Sequence, residues 1–477
     1  MKKLICFLLV ALLLTACAAP AATPGADSGT EAQEAGGFRV GYGKIDITPK
    51  DPVPLGGYSR SDLRISNGLI SYIYATCLAV TDANDNTVLL FTMDLLNPLQ
   101  TDKMFNAIVK GTGIPRENIV ISMTHSHSTP DLGNSKHTSI QNYVRLLEER
   151  LPKVALEALE DRKPVTSMSA GSIDTEGMNF IRHYVMNDGS IAGDNFGDTS
   201  SGYAGHHHTA DPELRLLKFT REGGKDVYVT NFQTHPHQTG GSDKFSISAD
   251  IIGEYRDTME AATGGLVMYF SGAGGNINST SRIKEEQATQ DFKAWGKKLA
   301  EYAQKIELKP LNTGKVQVKT EMMYGKINHS MDEYAMICKD LYERWDAGEI
   351  DVAEVKRLGL EAGIKLNSGQ NARSIYQRST MGETFDFEIT TVCFGDLAFV
   401  AAPCEMFDTM GVYIRENSPY PMTFIATLSN TSVGYLPTRE TFEYGSYETD
   451  SCRFAPGIAE ELAEQFVTML KAQYETR

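Results

Sequence analysis

Short apolar runs alternate with helical patterns along residues 38–477, and this alternation constrains the fold more than any other feature of the sequence. The apolar runs are rich in Val, Ile, Phe and Tyr, which favour β-strands. The predicted strands are Tyr72–Val80, Val88–Met93, Ile119–Met123, Val227–Thr234, Leu266–Phe270, Phe387–Phe394, Leu397–Ala401 and Thr423–Leu428. The predicted helices are Tyr143–Leu159, Ile251–Ala261, Phe292–Ile306, Met331–Trp345 and Ile458–Leu470. This order indicates the α/β class, with a mixed β-sheet core flanked by helices.

Two segments depart from the regular pattern. Pro152 interrupts the amphipathic stretch Tyr143–Leu159 and has no backbone N–H, so we expect a kink or a break near Leu151. The segment Gly348–Gly369 is more polar, and we interpret it as a helical excursion rather than a domain boundary. Residues 38–477 are therefore predicted to form one domain.

The N-terminus has the features of a bacterial lipoprotein signal. Lys2 and Lys3 precede the apolar run Leu4–Leu14, which is shorter than the roughly 20 residues that span a bilayer. The run ends in Leu14-Thr15-Ala16-Cys17, a lipobox-like pattern that predicts a signal peptide over residues 1–16 and lipidation of Cys17. An ordinary secretory peptide is the alternative. Residues 17–37 form a Pro-, Gly- and Ala-rich tether, which predicts a membrane lipoprotein on the extracytoplasmic face.

Charge and cysteine content exclude some function classes. The formal net charge is −16, whereas nucleic-acid binding requires a basic face, so we expect no nucleic-acid partner. The remaining cysteines of the predicted domain show no CxxC spacing and lie mostly in apolar runs, which favours buried free thiols over a disulfide framework. They are Cys77, Cys338, Cys393, Cys404 and Cys452.

Histidines follow two of the predicted strands. His125 and His127 come directly after Ile119–Met123, and in an extended strand residues i and i+2 share one face. His235 repeats the arrangement after Val227–Thr234, in the motif that ends with His237. Imidazole is a common zinc ligand, so the repetition indicates a metal site at strand ends. The triplet His206-His207-His208 lies in a Gly-, Ser- and Thr-rich stretch, and we interpret it as a loop outside that site.

Two further elements leave alternatives open. Glu405 follows Leu397–Ala401 and either completes a His/His/Glu set or sits at a helix N-terminus, where the helix dipole favours it. The glycine-rich segment Ser271–Asn278 either presents backbone N–H groups to an oxyanion or forms a plain turn. The chain has no GxSxG elbow and no P-loop lysine, so neither a serine esterase of that type nor a nucleotide site is supported.

Motifs spaced along nearly the whole predicted domain resemble those of one enzyme family. They are Gly43–Pro49, Pro54–Tyr58, Thr92–Leu96, Thr124–Ser128, Asp211–Phe219, Ile247–Asp250, Gly434–Glu440 and Arg453–Gly457. Together they resemble the N-terminal catalytic domain of the neutral/alkaline, non-lysosomal ceramidases. The resemblance implies a zinc ion held by two His, one Glu and one Tyr, which fall on His125, His235, Glu405 and Tyr435. It also implies an active-site role for His127 and substrate contacts at Gly57, Arg182 and Tyr447.

The sequence departs from this family in two places. Asn278 occupies the position of the family's active-site serine, and Ser279 is displaced by one residue. The sequence also ends after Ile458–Leu470, where the family has a further C-terminal domain. Both departures leave the substrate open between a ceramide-like sphingolipid and another small-molecule or lipid compound.

These observations predict a zinc-dependent hydrolase that cleaves an amide or ester bond with metal-activated water. We expect His127 to act as general acid/base, and Asn278 with nearby backbone N–H groups to polarise the scissile carbonyl. The alternative is a non-catalytic surface lipoprotein that binds a lipid or amphiphile in a degenerate pocket.

Overall fold

A computed structural model describes residues 37–58, 61–239, 243–289 and 291–477. Its strands are β1 (Arg39–Asp46), β2 (Gly68–Leu69), β3 (Tyr74–Thr81), β4 (Thr87–Met93), β5 (Ile119–Met123), β6 (Lys163–Asp174), β7 (Phe180–Ile181), β8 (His183–Met186), β9 (Ile191–Gly193), β10 (Tyr203–His206), β11 (Glu213–Arg221), β12 (Val227–Phe232), β13 (Ser246–Ile247), β14 (Leu266–Ser271), β15 (Ile277–Asn278), β16 (Lys309–Leu311), β17 (Val316–Lys326), β18 (Thr384–Phe394), β19 (Leu397–Ala401), β20 (Glu405–Met406), β21 (Met422–Ala426) and β22 (Tyr435–Leu436).

The α-helices of the same ranges are α1 (Thr101–Thr112), α2 (Thr138–Glu160), α3 (Asp250–Thr263), α4 (Phe292–Gln304), α5 (Ala335–Asp346), α6 (Val352–Glu361), α7 (Gly369–Ser379), α8 (Asp408–Asn417), α9 (Arg439–Tyr444), α10 (Tyr447–Ser451) and α11 (Ile458–Tyr474). Short 3-10 helices are Ser61–Leu63, Arg116–Asn118, Lys284–Thr289 and Asp332–Tyr334.

Two mixed sheets form the centre of the fold. The larger sheet has the strand order β14-β12-β11-β6-β1-β3-β4-β5, with β16 also paired to β6. Its β12/β14 and β4/β5 pairs are parallel, and its other pairs are antiparallel. The smaller sheet has the order β17-β18-β19-β21, in which only β19/β21 is parallel. The predicted α/β class with a mixed sheet core is therefore confirmed.

The two sheets pack face to face, with helices on both outer faces. Alternation along β3 shows this arrangement: Leu78 and Val80 point into the core between the sheets, whereas Cys77 and Ala79 pack under α2. Facing residues of the smaller sheet include Phe394, Phe399 and Phe424. α1 to α4 cover the larger sheet, and α8 and α11 cover the smaller one. Strands buried on both faces explain why these segments read as continuous apolar runs.

Of the kink or break expected near Leu151, the break is wrong. α2 continues without interruption through this residue. The buried side chains Leu151, Val154 and Ala155 hold both halves of the helix against the core, and this packing outweighs the lost backbone hydrogen bond. The helix pairs closely with α1 there, since a Cβ on Gly111 would lie 2.6 Å from Pro152 Cβ.

Two other expectations are confirmed. The segment after α5 is helical, because α6 and α7 pack with α5 around their own apolar cluster, which includes Leu341, Val355 and Ile375. The five cysteines of the described ranges are free and buried. The predicted signal, tether and Cys17 lie outside the described residues, so the predicted domain boundaries stay a prediction.

Candidate metal centre

The candidate site lies where the C-terminal ends of β5, β12 and β14 meet. Although β5 and β14 stand at opposite ends of the strand order, Ser271 Oγ donates a hydrogen bond to Thr124 O at 2.9 Å. The segment after β21 bonds to the ends of both β14 and β5. Thr427 N donates to Ser271 O of β14 at 3.0 Å, and Met123 N of β5 donates to Leu428 O at 3.1 Å. These hydrogen bonds therefore bring distant strand ends to one place.

His125 and His127 approach each other because the chain turns between them, not because a strand continues. β5 ends at Met123, and His125 has a left-handed backbone with φ of 68°. This conformation is held by His125 N, which donates to Leu95 O at 2.9 Å. The two imidazole centroids are 5.0 Å apart. The proximity was predicted, but the strand-alternation argument for it was wrong.

His235 enters the same site from the end of β12. Its Nδ1 lies 2.9 Å from both Gly274 O and Ile277 O, and His125 Nδ1 lies 2.9 Å from Leu96 O. Carbonyl oxygens only accept hydrogen bonds, so both Nδ1 atoms are protonated and both Nε2 lone pairs face the site. The nearby His237 instead bonds through Nδ1 to His235 O.

Glu405 lies between the two imidazoles. Its Oε2 is 3.2 Å from His125 Nε2 and 3.3 Å from His235 Nε2, and Tyr435 Oη is 3.5 Å from His235 Nε2. Glu405 Oε2 is buried and has no hydrogen-bond partner among the described residues. A carboxylate oxygen that faces two nitrogen lone pairs is repelled unless a cation lies between them. Two imidazoles, a carboxylate and a phenol form a donor set that suits zinc, so these residues fit the ion that the sequence predicts.

The protonation states also suit metal ligation. Burial and the charge of Arg182 lower the pKa of His235 to about 4. Burial alone would raise the pKa of the Glu405 carboxyl, and a cation held between it and the two Nε2 lone pairs would keep it ionised. Neutral imidazoles and an ionised carboxylate are the forms that bind a metal.

His127 borders this cluster. Its Nε2 is 3.4 Å from His125 Nε2, and ligand atoms of His125, His127 and His235 lie within 4.8 Å of one another. Gly57 packs closely against the base of the His127 side chain, since a Cβ there would lie 2.5 Å from His127 Cγ. Tyr58 meets the ring edge-on at 5.4 Å, and burial lowers the pKa of His127 well below its ordinary value. His127 is therefore a neutral imidazole beside the candidate ligands.

Arg182 also reaches the cluster. Its Nη1 lies 3.4 Å from His235 Nε2, and its guanidinium lies 5.3 Å from the centroid of Tyr435 and 6.0 Å from that of Tyr447. Its Nε donates to Glu448 Oε1 at 2.6 Å. Glu448 was not predicted, because nothing in its short helical segment marks it as the partner of a distant arginine.

Asn278 lies beside the cluster, next to His235 in an isolated parallel bridge. Its Nδ2 donates to Asp194 Oδ2 at 2.7 Å, and Asp194 Oδ1 accepts from Arg282 Nε at 3.0 Å. Asp194 was not predicted. The Ser279 hydroxyl is fully buried and has no hydrogen-bond partner in the described ranges. Ser279 is thus not accessible to a substrate in this loop conformation.

The glycines before Asn278 act through close packing. Gly272 N donates to Phe232 O and Gly275 N donates to Met406 O, both at 2.8 Å. These two N–H groups are therefore not available to an oxyanion. A Cβ on Gly275 would lie 2.5 Å from Glu405 O, so glycine is required for the loop to approach the Glu405 strand.

The triplet His206-His207-His208 does not join the cluster. His206 pairs with Glu286, His207 lies near Glu440, and His208 pairs with Asp408. The interpretation of the whole stretch as a loop was wrong at its start, since β10 includes His206.

Comparison with solved structures identifies the fold. The neutral ceramidase from Pseudomonas aeruginosa superposes with a TM-score of 0.67 at 16% identity, over 92% of this chain and 75% of that chain. A ceramidase complexed with C2 gives a TM-score of 0.67 at 17% identity, over 92% of this chain and 76% of that chain. No family model and no curated protein matches the sequence. The chain therefore has a neutral ceramidase-like fold with a strongly diverged sequence.

Proposed function

We propose that this chain is a zinc-dependent hydrolase that cleaves an amide or ester bond in a small-molecule or lipid substrate. The observation that carries the proposal is the buried Glu405 Oε2, which lies 3.2 and 3.3 Å from the Nε2 atoms of His125 and His235 without a hydrogen-bond partner among the described residues. Together with Tyr435 these residues would hold the ion.

Zinc, when bound, lowers the pKa of a coordinated water to about 7 and polarises a carbonyl oxygen. His127 is neutral and accepts the proton of the attacking water at Nε2. The same atom then donates that proton to the leaving nitrogen or oxygen. The ring is held for this role by Gly57 and Tyr58 on one side.

Arg182 and Asn278 act on the substrate carbonyl and head group. One N–H of the Asn278 amide is used by Asp194, which leaves the second N–H to donate to the developing oxyanion. Arg182 Nη1 supplies a further donor at the edge of the metal centre.

The second candidate function is non-catalytic binding of a lipid or amphiphile. Asn278 favours non-catalytic binding, because it stands at the position of the family's serine and an amide is not a nucleophile. Two measurements distinguish the hydrolase from the binding protein. The first is metal analysis of the purified protein, and the second is turnover of a panel of N-acyl and ester compounds by zinc-loaded and metal-free protein. Zinc-dependent turnover supports the hydrolase, whereas tight binding of an amphiphile without turnover supports the binding protein.

We also propose attachment to a membrane through lipidated Cys17, with the domain on the extracytoplasmic face. The support is the sequence pattern Leu14-Thr15-Ala16-Cys17 alone. Among the described residues no helix has the length and apolar character needed to cross a membrane.

A further inference from the structure

One edge of the smaller sheet is open to a further strand. β17 stands first in the order β17-β18-β19-β21, so β18 bonds only one of its two edges. At the ends of the other edge, Val316 N donates to Asp82 Oδ2 at 2.8 Å and Lys326 O accepts from Ala455 N at 2.9 Å. The chain itself therefore covers both ends of this outer edge.

The backbone between these two ends is unpaired on the outer edge. The register of β17 with β18 is regular, and in an antiparallel pair every second residue directs both its N–H and its C=O outward. Counting from Val316, the outward residues are Val318, Thr320, Met322 and Tyr324. Their backbone groups form no hydrogen bond on this edge with any described residue. β17 also has 11 residues and no proline, whereas edge strands that avoid pairing are commonly short or carry proline.

Apolar side chains of the same stretch are exposed. Met322 is 45% exposed and Tyr324 is 66% exposed. They share a face of β17 with Val316 and Val318, which pack into the core between the two sheets. The core thus covers the first half of this face and leaves the second half uncovered.

A second copy of this chain matches the edge in one antiparallel register. When a two-fold axis passes through Thr320, outward residues face outward residues, with Val318 of each copy opposite Met322 of the other. The same register sets Lys319 of each copy opposite Glu321 of the other. Within one chain these side chains already form an ion pair, with Lys319 Nζ 2.5 Å from Glu321 Oε1. Opposite charges that face each other across paired strands stabilise the pair.

The neighbouring registers are unfavourable. An axis through Lys319 sets the two copies of this lysine opposite each other, and an axis through Glu321 does the same with the glutamate. Like charges directly opposite destabilise paired strands. Registers shifted further lose overlap, because Asp82 and Ala455 occupy the ends of the edge. The charges therefore select the register centred on Thr320.

We propose that β17 is a homodimerisation edge, where two copies of this chain pair as antiparallel strands about an axis at Thr320. The pairing joins two four-stranded sheets into one continuous sheet. It sets the exposed Met322 and Tyr324 beside Val318 and Val316 of the second copy. This inference is independent of the proposed function, because β17 contributes no residue to the candidate metal centre.

The first test is disulfide cross-linking of the full-length protein in intact cells with the oxidant diamide. Thr320→Cys sets two thiols across the axis, where paired Cα atoms lie about 5.5 Å apart, within the range of a disulfide. Met322→Cys is the matched control on the same edge, since its two copies would be offset by about 13 Å. The cysteines of the described ranges are buried, and any contribution of Cys17 is the same in both variants. Thr320→Cys should give at least about tenfold more product of twice the chain mass on a non-reducing gel.

The second test reverses charges in the Thr320→Cys background. Lys319→Glu or Glu321→Lys alone sets like charges opposite each other and should lower the yield about tenfold. Co-expressed with different tags, these two variants face each other with opposite charges and should cross-link to one another. Because each copy keeps its internal repulsion, recovery of the yield reports the contact between copies. Lys153→Glu on α2, away from β17, is the control and should leave the yield unchanged.

Equal yields from Thr320→Cys and Met322→Cys, or no cross-link from either, would overturn the inference. A product of another mass would do so too, because it would show that a different protein adds its strand to this edge. Circular dichroism checks that each variant is folded. Failure of two folded charge variants to cross-link to one another would likewise overturn the proposed register.

Discussion

Glu405 and Tyr435 are direct partners in the register of two short parallel strands, β20 and β22. Residues paired in this way project their side chains to the same face of a sheet. The pairing therefore delivers a carboxylate and a phenol to one side, where His125 and His235 already converge. A slip of one residue in this register would turn one of the two side chains away from the site.

The first prediction concerns the ligands. His125→Ala and His235→Ala should each lose bound zinc, because each removes one Nε2 that faces Glu405 Oε2. His206→Ala should keep one zinc per chain, since His206 is paired with Glu286 outside the cluster. Zinc content is measured by elemental analysis after dialysis. Full occupancy in both of the first two variants would refute the assignment.

The second prediction concerns the nucleophile. Ser279→Ala should retain most activity, because the hydroxyl is buried and the proposed attacking group is water. Asn278→Ala should lose about 10²-fold or more in kcat, the cost of one lost oxyanion donor. Both are measured on any substrate that the wild type cleaves. Loss of activity in Ser279→Ala with zinc still bound would restore a serine mechanism, and an acyl-enzyme at Ser279 would then be detectable by mass spectrometry.

The third prediction tests the glycine loop. Gly275→Ala should weaken zinc binding at least about tenfold, because its Cβ would lie 2.5 Å from Glu405 O and must displace the strand that carries a ligand. Gly205→Ala is the matched control, since a Cβ there meets no atom within 4 Å. Zinc affinity is measured by competition with a chelating dye. Equal affinities in the two variants would show that the loop tolerates the extra atom.

The fourth prediction concerns pH-dependent stability. Burial raises the pKa of the Asp450 carboxyl to about 6, above the value of about 3.9 expected in the unfolded chain. The folded state thus favours the protonated form, and the stability from this group is present below pH 4 and lost as the pH rises through 6. Asp450→Asn should raise the free energy of unfolding by about 1–2 kcal/mol at pH 8 and much less at pH 4.

Urea denaturation at pH 4, 6 and 8 measures this difference. Asp346→Asn, on the exposed surface of α5, is the control and should show the same small effect at each pH. A pH-independent effect of Asp450→Asn would contradict the raised pKa.

The fifth prediction concerns anchoring. Wild-type protein should fractionate with membranes, and Cys17→Ser should release it or block its processing, because the lipid is attached to that thiol. Cell fractionation and immunoblotting measure the distribution. Equal membrane recovery of both proteins would point to a different anchor.

The sequence carried more information about strands than about how their ends meet. β5 and β19 match the predicted bounds, because buried strands between turn residues leave a strong apolar signal. The left-handed turn at His125 has no such signal, since it depends on a hydrogen bond to Leu95. β6 and β17 were missed, because much of their surface is exposed and their apolar residues are interrupted by polar ones.

In the candidate site, too, some residues could be predicted from the sequence and others could not. His125 and His235 were singled out because each follows a recognisable strand, whereas strand position left Glu405 open between a metal ligand and a helix N-terminal residue. Tyr435 was reached through family resemblance, as its strand has two residues and no pattern of its own. Glu448 and Asp194 were not found, because their roles arise from contacts with residues far away in the chain.

The junction between the ends of β5 and β14 has a consequence for the maturation of the protein. The four candidate ligands come from segments that approach one another only after the larger sheet has formed and the smaller sheet has docked on it. An unfolded or half-folded chain has no such set of ligands and at most binds metal weakly through single histidines. Under the proposed function, metal would therefore be loaded after the fold has formed, and tight zinc binding would report that both halves of the chain have assembled.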